Sequence, residues 1–249
     1  MKGRIALSAC AAIAALVVTP ALGTPGLPLG IAALGGADST GGNSWSTGTN
    51  RAVRSHLNRL QQMTGSVREV RASTFATSGF RTVADLAPQV RKTIASNLRY
   101  VTIDVGVGDV CSGTSPLTFR NRLVDALRSL SRHSVVQQQN RSPDQREIFV
   151  VSIENLVGHW HALGGKNDLG CGLHSSARRA LIQRRTIAFN DILARVCYRT
   201  TECLFDAGAR YSMRLHPSYF SARGLTVAGE RAVAAVEWKP AKVLLDAGS

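Results

Sequence analysis

The apolar positions of this 249-residue chain alternate between strand-like and helix-like spacing. Buried strands are predicted at residues 30–34, 67–73, 100–106, 148–153 and 203–206. Amphipathic helices are predicted between and after them, at residues 50–63, 82–98, 117–133, 177–196 and 228–245. Pro88 is expected to kink its helix or delay its start, and Pro240 to interrupt the last helix. This alternation predicts an α/β fold, a three-layer α/β/α sandwich with a doubly wound parallel sheet of about five strands.

The first 23 residues have the pattern of an export signal. Lys2 and Arg4 precede an apolar run that is too short to span a membrane, and ALG at residues 21–23 is a small-x-small cleavage site. The alternative is a lipoprotein signal, because LSAC ends at Cys10. We therefore expect a secreted, extracellular monomer with a single domain at residues 24–249 and no transmembrane segment in the mature chain.

Four cysteines remain after the predicted cleavage, namely Cys111, Cys171, Cys197 and Cys203. In an oxidising compartment they predict two disulfides, for which three pairings are possible. The favoured pairing is a short clip, Cys197–Cys203, with a long-range bridge, Cys111–Cys171. The chain has no Cys-x-x-Cys or His-x-x-x-His spacing. We therefore expect neither a metal site nor a cofactor.

The formal net charge of +14 raises the question of a nucleic-acid partner. Arginine outnumbers lysine about five to one and occurs in every segment, as is typical of GC-rich coding. No basic block is interleaved with aromatic residues as in a base-stacking groove. We expect no specific nucleic-acid partner, and only weak, salt-sensitive adhesion to acidic polymers such as those of a cell wall.

Glycine-rich loops follow two of the predicted strands, where parallel sheets place their chemistry. The second loop lies in VTIDVGVGDVC, residues 101–111. This segment resembles SGNH/GDSL-type ester hydrolases, whose loop reads G-x-N-D. SWSTGTN at residue 44, SHLNRL at residue 55 and ATSG at residue 76 follow the order of the secreted actinobacterial-type branch of that family, as do VVSI, AFN and AGE…W further along. The resemblance covers about residues 30–238 and implies a flavodoxin-like SGNH sandwich.

The resemblance also implies a serine nucleophile in the first loop and oxyanion donors in the next two. Ser39, which follows Asp38, is the candidate nucleophile, although alignment without an insertion places Ala37 there. Gly79 matches the family glycine whose N–H faces the oxyanion. Gly108 stands where the family has the oxyanion Asn. Loss of one such donor costs on the order of 10²–10³ in rate.

The last family block, Asp-x-x-His-Pro, is matched least well. Counted back without gaps from Ala228-Gly229, its Asp falls on Ser221 and its His on Gly224. The alternative base is His216, in a His-Pro-Ser triplet, but Met213 stands where a carboxylate would orient the ring. Four other polar residues are predicted to have structural or surface positions and not catalytic roles. Asp104 is read as mid-strand, Asp206 as a cap, and His159 and His161 as solvated helix positions.

Two functions follow from these residues. The resemblance implies a serine hydrolase of acyl or acetyl esters of lipids or polysaccharides, acting through Ser39, Gly79 and His216 on a small acyl-ester substrate. The joint loss of Asn, Asp and His at their expected positions favours a non-catalytic pseudoenzyme that binds a cell-surface ligand.

Overall fold

A computed structural model of the chain describes residues 27–65, 70–79, 82–133, 146–166, 168–221 and 224–247. Five strands form one parallel sheet in the order β2-β1-β3-β4-β5: β1 (Gly30–Gly35), β2 (Arg71–Thr74), β3 (Tyr100–Asp104), β4 (Glu147–Val150) and β5 (Cys203–Phe205). A separate antiparallel pair is formed by β6 (Phe220–Ser221) and β7 (Gly224–Leu225). The predicted doubly wound parallel sheet is confirmed, and its strand order is flavodoxin-like.

Helices cover both faces of this sheet. The helices are α1 (His56–Met63), α2 (Leu86–Ser96), α3 (Val107–Ser112), α4 (Pro116–Arg132), α5 (Leu156–Ala162), α6 (Ser176–Tyr198) and α7 (Val227–Ala247). Leu86, Phe119 and Ile182 from α2, α4 and α6 belong to one buried apolar cluster. Leu57 of α1 and Val233 of α7 belong to a second. None of the helices in the described residues is long and apolar enough to cross a membrane.

Helix boundaries differ from the sequence prediction where capping or proline decides them. The helix α1 begins at His56, not at residue 50, because Ser55 and Asn58 form a capping box. Pro88 lies in the first turn of α2, where a missing N–H costs no helical bond. The predicted interruption at Pro240 is wrong: α7 continues to Ala247. Ala241 and Leu245 beyond the proline are fully buried, so packing holds the helix together across it.

Both favoured disulfides are present. Cys197 and Cys203 are bonded over a separation of 6 residues, and Cys111 and Cys171 over 60. The predicted export signal, the polar segment at residues 137–145 and the first part of the second strand lie outside the described residues.

The fold concentrates charges that the sequence spreads along the chain. The helices α2, α4 and α6 carry eleven arginines and lysines but only two acidic residues. The helices α1 and α7 on the other face carry four basic and three acidic residues. Arginine occurs in every segment of the sequence, but in space one helical layer holds most of the basic excess on these helices.

Candidate active site

The turn after β1 is fixed against the end of β3. Gly35 has φ +110°, and a Cβ there would clash with the carbonyl oxygen of Asp104. Gly36 N donates to that oxygen at 3.0 Å. The side chain of Gln89 brackets Gly35, accepting from its N–H at 2.6 Å and donating to its C=O at 3.3 Å. The next residues, Ala37–Ser39, form a single 3-10 turn at the carboxyl edge of the sheet.

Ser39, the candidate nucleophile, is enclosed by this turn. The residue has no solvent-exposed area, and its N–H donates to Gly36 O at 3.2 Å. Its Oγ has no hydrogen-bond partner within the part of the chain that the structure describes. A reactive serine requires an adjacent base and access to substrate. The described contacts supply neither.

A buried arginine occupies the carboxyl edge beside this turn. The side chain of Arg210 is 3% exposed; its Nη1 donates to Asp104 Oδ2 at 2.7 Å, and its Nη2 donates to Asp38 Oδ2. Asp206 positions the loop that carries Arg210, accepting from the N–H groups of Gly208 at 2.9 Å and Arg210 at 3.2 Å. Asp206 thus caps a loop, as predicted, while Asp104 ends its strand and is an ion-pair partner.

Arg210, Asp38 and Asp104 together form what is called the ion-pair group below. Burial and opposite charge set the protonation of its members. Burial raises the pKa of Asp38 to about 6, although Arg210 acts to lower it. Burial would lower the pKa of Arg210, but the carboxylates of Asp104 and Asp38 outweigh it and raise that pKa further above its usual range. The guanidinium is therefore permanently charged and fully engaged.

Two carboxyl groups of α7 lie beside the same charges. Glu230 Oε2 accepts from Trp45 N at 3.0 Å, and burial raises the pKa of Glu230 to about 9. Burial, and then the charge of Asp206, raise the pKa of Glu237 well above its usual value. Neither oxygen of Glu237 has a hydrogen-bond partner among the described residues, and the side chain is fully buried. Glu230 therefore holds a proton at neutral pH, and burial favours the protonated form of Glu237 as well, which reduces repulsion among the carboxyl groups around Arg210.

A histidine and a glutamate pair after β4. His159 Nδ1 lies 3.3 Å from Glu154 Oε2, and the imidazole packs against the ring of Phe220 with centroids 3.9 Å apart. Burial raises the pKa of Glu154, but the hydrogen bond and charge of His159, together with Arg210, outweigh it and lower the pKa below its usual value. The interpretation of His159 as solvated is wrong, since it is only 5% exposed, whereas His161 is exposed. The seven residues of α5 show no clear helical period, but Glu154 immediately after an apolar strand was an available signal.

His216 lies in an exposed loop before a 3-10 turn at Pro217–Tyr219. Its Nδ1 is 2.8 Å from Ser218 Oγ and accepts from Ser218 N at 3.3 Å. No hydrogen bond between described residues joins His216 to Ser39 or to a carboxylate. The structure thus does not assemble the predicted Ser39–His216 pair.

The remaining family positions lie on a loop, a helix and the small antiparallel pair. Gly79 has φ +91°, and Gly224 has φ +118°; a Cβ at either would meet nothing within 4 Å. Gly108 is in the first turn of α3. Ser221 and Gly224 pair across β6 and β7, and β7 packs against the turn that contains Ala37. The contact places β7, which holds Gly224, next to the turn, but the turn contains both Ala37 and Ser39, so the contact does not choose between them as the nucleophile position.

Asp109, the last letter of the GVGD loop, has a supporting role. Its Oδ2 accepts from Val83 N at 2.7 Å, so it holds the start of the α2 region against α3. The described residues contain no group of three or more His, Cys, Asp or Glu side chains arranged to hold a metal ion.

Comparison with known proteins identifies the architecture. No family model matches the chain, and no curated protein matches it. Solved structures do match it, among them several at 12–15% identity. LAE5, an alpha/beta hydrolase enzyme from the metagenome of Lake Arreo, Spain, has a TM-score of 0.56 over 86% of this chain and 95% of its own.

Two further structures match at similar levels. TesA has a TM-score of 0.55 over 86% of this chain and 99% of its own. Axe2, an acetylxylan esterase from Geobacillus stearothermophilus, has a TM-score of 0.52 over 88% and 95%. At these identities the likeness concerns the fold alone. The chain has the SGNH-type hydrolase fold that its motifs resemble.

Proposed function

We propose that this protein is a secreted SGNH-fold protein that does not hydrolyse esters and that acts by binding. The observation that carries the proposal is Arg210, buried at the carboxyl edge of the sheet and bonded to both Asp38 and Asp104. This ion-pair group stands beside the turn where a hydrolase of this fold would present its nucleophile. The two disulfides support the export part of the proposal, because such bonds persist in oxidising compartments.

Acyl transfer needs a serine, a base that takes its proton, a carboxylate that orients the base, and donors for the oxyanion. The positions aligned without gaps hold Ala37, Gly108, Ser221 and Gly224, which supply none of these side chains. In another triad enzyme, removal of the catalytic set costs about 10⁶ in rate.

The electrostatics of the edge also oppose catalysis. An oxyanion that forms near the turn would face the carboxylates of Asp38 and Asp104, which repel negative charge. Arg210 lies between these two carboxylates and bonds to both, so its positive charge is offset by theirs.

A second candidate function is ester hydrolysis through Ser39. It is favoured by the unpaired Ser39 hydroxyl and by the His159–Glu154 pair, which resembles the orientation of a catalytic imidazole by a carboxylate. In that reaction Ser39 Oγ would bond to the acyl carbon while its proton passes to the imidazole and then to the departing alcohol. Water would release the acid in a second step. The turn would have to open, because the hydroxyl is fully buried.

Hydrolysis of p-nitrophenyl acetate and butyrate, with fluorophosphonate labelling, separates the two functions. We expect a rate within about twofold of the Ser39→Ala variant and no labelled serine, since that hydroxyl is inaccessible. Ser96→Ala, which removes a partly buried hydroxyl from the end of α2, is the matched control. A wild-type rate that Ser39→Ala abolishes and Ser96→Ala retains would establish the second candidate instead.

Restoring the family side chains provides a positive test. We expect the quadruple variant Ala37→Ser, Gly108→Asn, Ser221→Asp and Gly224→His to gain fluorophosphonate labelling at position 37. The positive φ of Gly224 will limit its rate, because a side chain there is strained. Labelling of the wild type at any serine would contradict the proposal.

A further inference from the structure

A groove between α4 and α6 lies on the helical layer formed by α2, α4 and α6, called the basic layer below. The groove is separate from the residues of the candidate active site. It has a volume of about 600 Å³, within the range of ligand pockets. Five arginines line it: Arg120, Arg128, Arg132, Arg195 and Arg199. We propose that this arginine groove binds anions that carry several phosphate groups in a chain. The inference is independent of whether the protein hydrolyses esters.

The guanidinium groups of the arginine groove are largely unneutralised. Arg120, Arg128, Arg132 and Arg199 are exposed, and no ion pair links any of them to a described residue. Arg195 pairs with Asp191 at 2.7 Å, but both side chains are more than half exposed, and such pairs stabilise little. Like charges gathered in one groove repel each other, so a bound anion relieves a standing cost.

The shape and lining of the groove select the kind of anion. Arginine is suited to phosphate because its planar fork can donate two parallel hydrogen bonds to the oxygens. Three arginines of the groove, Arg120, Arg128 and Arg132, lie on α4 and extend over about 18 Å of helix, at 1.5 Å per residue. One phosphate therefore reaches only part of the set. A linear ligand with several phosphates can contact them together.

The floor and the residue types argue against nucleic acid as the occupant. Between the arginines the floor is aliphatic, formed by Val124, Ile192 and Val196. The described lining contains no aromatic side chain, whereas sites for single-stranded nucleic acid stack bases on aromatic rings. The groove therefore offers charge and hydrogen bonds to a backbone of phosphates and no platform for bases.

Calorimetric titration of the full chain with tripolyphosphate and with long-chain polyphosphate tests this inference. We expect tighter binding of the longer chain, and an affinity that falls steeply between about 50 mM and about 200 mM salt. The variant Arg128→Gln with Arg199→Gln should weaken binding by about tenfold or more, since it removes two charged donors. The matched control, Arg51→Gln with Lys239→Gln, removes two exposed charges elsewhere and should weaken it by less than about threefold.

Three results would overturn the inference. The first is no binding of either phosphate at low salt, and the second is an equal loss of affinity in the groove and control variants. The third is tighter, groove-dependent binding of single-stranded DNA that has the same number of phosphates. Because all four substituted side chains are exposed, thermal melts should show that each variant is folded.

Discussion

The two faces of the central sheet bury different kinds of side chain. The helices α2, α4 and α6 bury Leu, Val, Ile and Phe, and their buried polar residues are Gln89, Thr93 and Thr186, none of which titrates. The helices α1 and α7 bury His56, Glu230 and Glu237. Among the residues that the structure describes, the helices of the first face, the packed face, therefore bury no titratable side chain, whereas those of the second, the polar face, bury three.

His56 illustrates what the polar face requires. Its imidazole lies among Trp45, Tyr100, Phe149 and Trp238, and its Nδ1 is 2.8 Å from the Tyr100 hydroxyl. Burial lowers the pKa of His56 to about 3, so the ring is neutral at physiological pH. A buried titratable group is tolerated here because it stays uncharged, as Glu230 does by keeping a proton. The ion-pair group at Arg210 is the exception, because it buries charged side chains.

The largest expected effect comes from removing the cation of that group. Arg210→Leu leaves Asp38 and Asp104 buried without their partner and should cost about 3–5 kcal/mol in the free energy of unfolding, measured by urea denaturation. The variant that adds Asp38→Asn and Asp104→Asn should recover much of the loss, since it removes the uncompensated charges. If this triple variant is as unstable as Arg210→Leu alone, the cost has another origin.

The disulfides test the packed face, because Cys171 and Cys197 belong to its buried cluster and their partners, Cys111 and Cys203, pack against that cluster. Replacing Cys111 and Cys171 by Ala removes a 60-residue constraint and should cost about 4 kcal/mol. Replacing Cys197 and Cys203 removes a 6-residue constraint and should cost about 2 kcal/mol. Each loss in the free energy of unfolding should be the same at pH 5 and pH 8. A strong pH dependence would contradict the claim that the stability of the packed face is independent of titration.

The polar face should show its protons in the dependence of stability on pH. Glu230 has a folded pKa of about 9, above its usual value of 4.5, so its contribution is complete below pH 4.5 and is lost as the pH rises toward 9. Between pH 5 and pH 8 this loss should amount to about 4 kcal/mol. Glu230→Gln keeps an acceptor for Trp45 N–H and should remove most of that slope in denaturant titrations.

Other buried carboxyl groups also contribute to the dependence of stability on pH. Asp38 and Glu147, whose pKa values burial raises to about 6 and about 7, titrate with the same sign and should leave a residual slope. Asp125→Asn, an exposed change on α4, is the control that should leave the slope intact. An unchanged slope in Glu230→Gln would mean that the proton is held elsewhere.

The packed face was also the part that sequence predicts best. Parallel strands buried on both sides are near-continuous apolar runs, which predicted β1, β3 and β4. The edge strand β2 is mostly exposed and showed only weak alternation. The pattern of α4 and α6 gave those helices within three residues. The short helices α3 and α5 were missed because six or seven residues carry too little periodicity. Pro240 misled because its local effect on the helix is outweighed by burial farther along α7.

The candidate site was harder to predict, because its key partner carries no local signal. Asp38 stands in a motif and Asp104 ends an apolar strand, so both attracted notice. Arg210 is one arginine among many, more than 100 residues away from either strand end. Only the tertiary fold shows that this one is buried between them. His159 was misread for a related reason, since its burial depends on Phe220 from another part of the chain.

Two arginines of α6 hold loops in place through hydrogen bonds to backbone carbonyl groups. Arg185 donates to the carbonyl oxygens of Asp109, Val110 and Thr114, and Arg178 to those of Cys111 and Cys171. A lysine has a single ammonium and cannot reach several carbonyls in one plane. Replacing Arg178 and Arg185 by lysine would keep the net charge. It would remove most of the hydrogen bonds that hold the loop around α3. The preference for arginine is thus architectural there, whatever codon usage contributed to it.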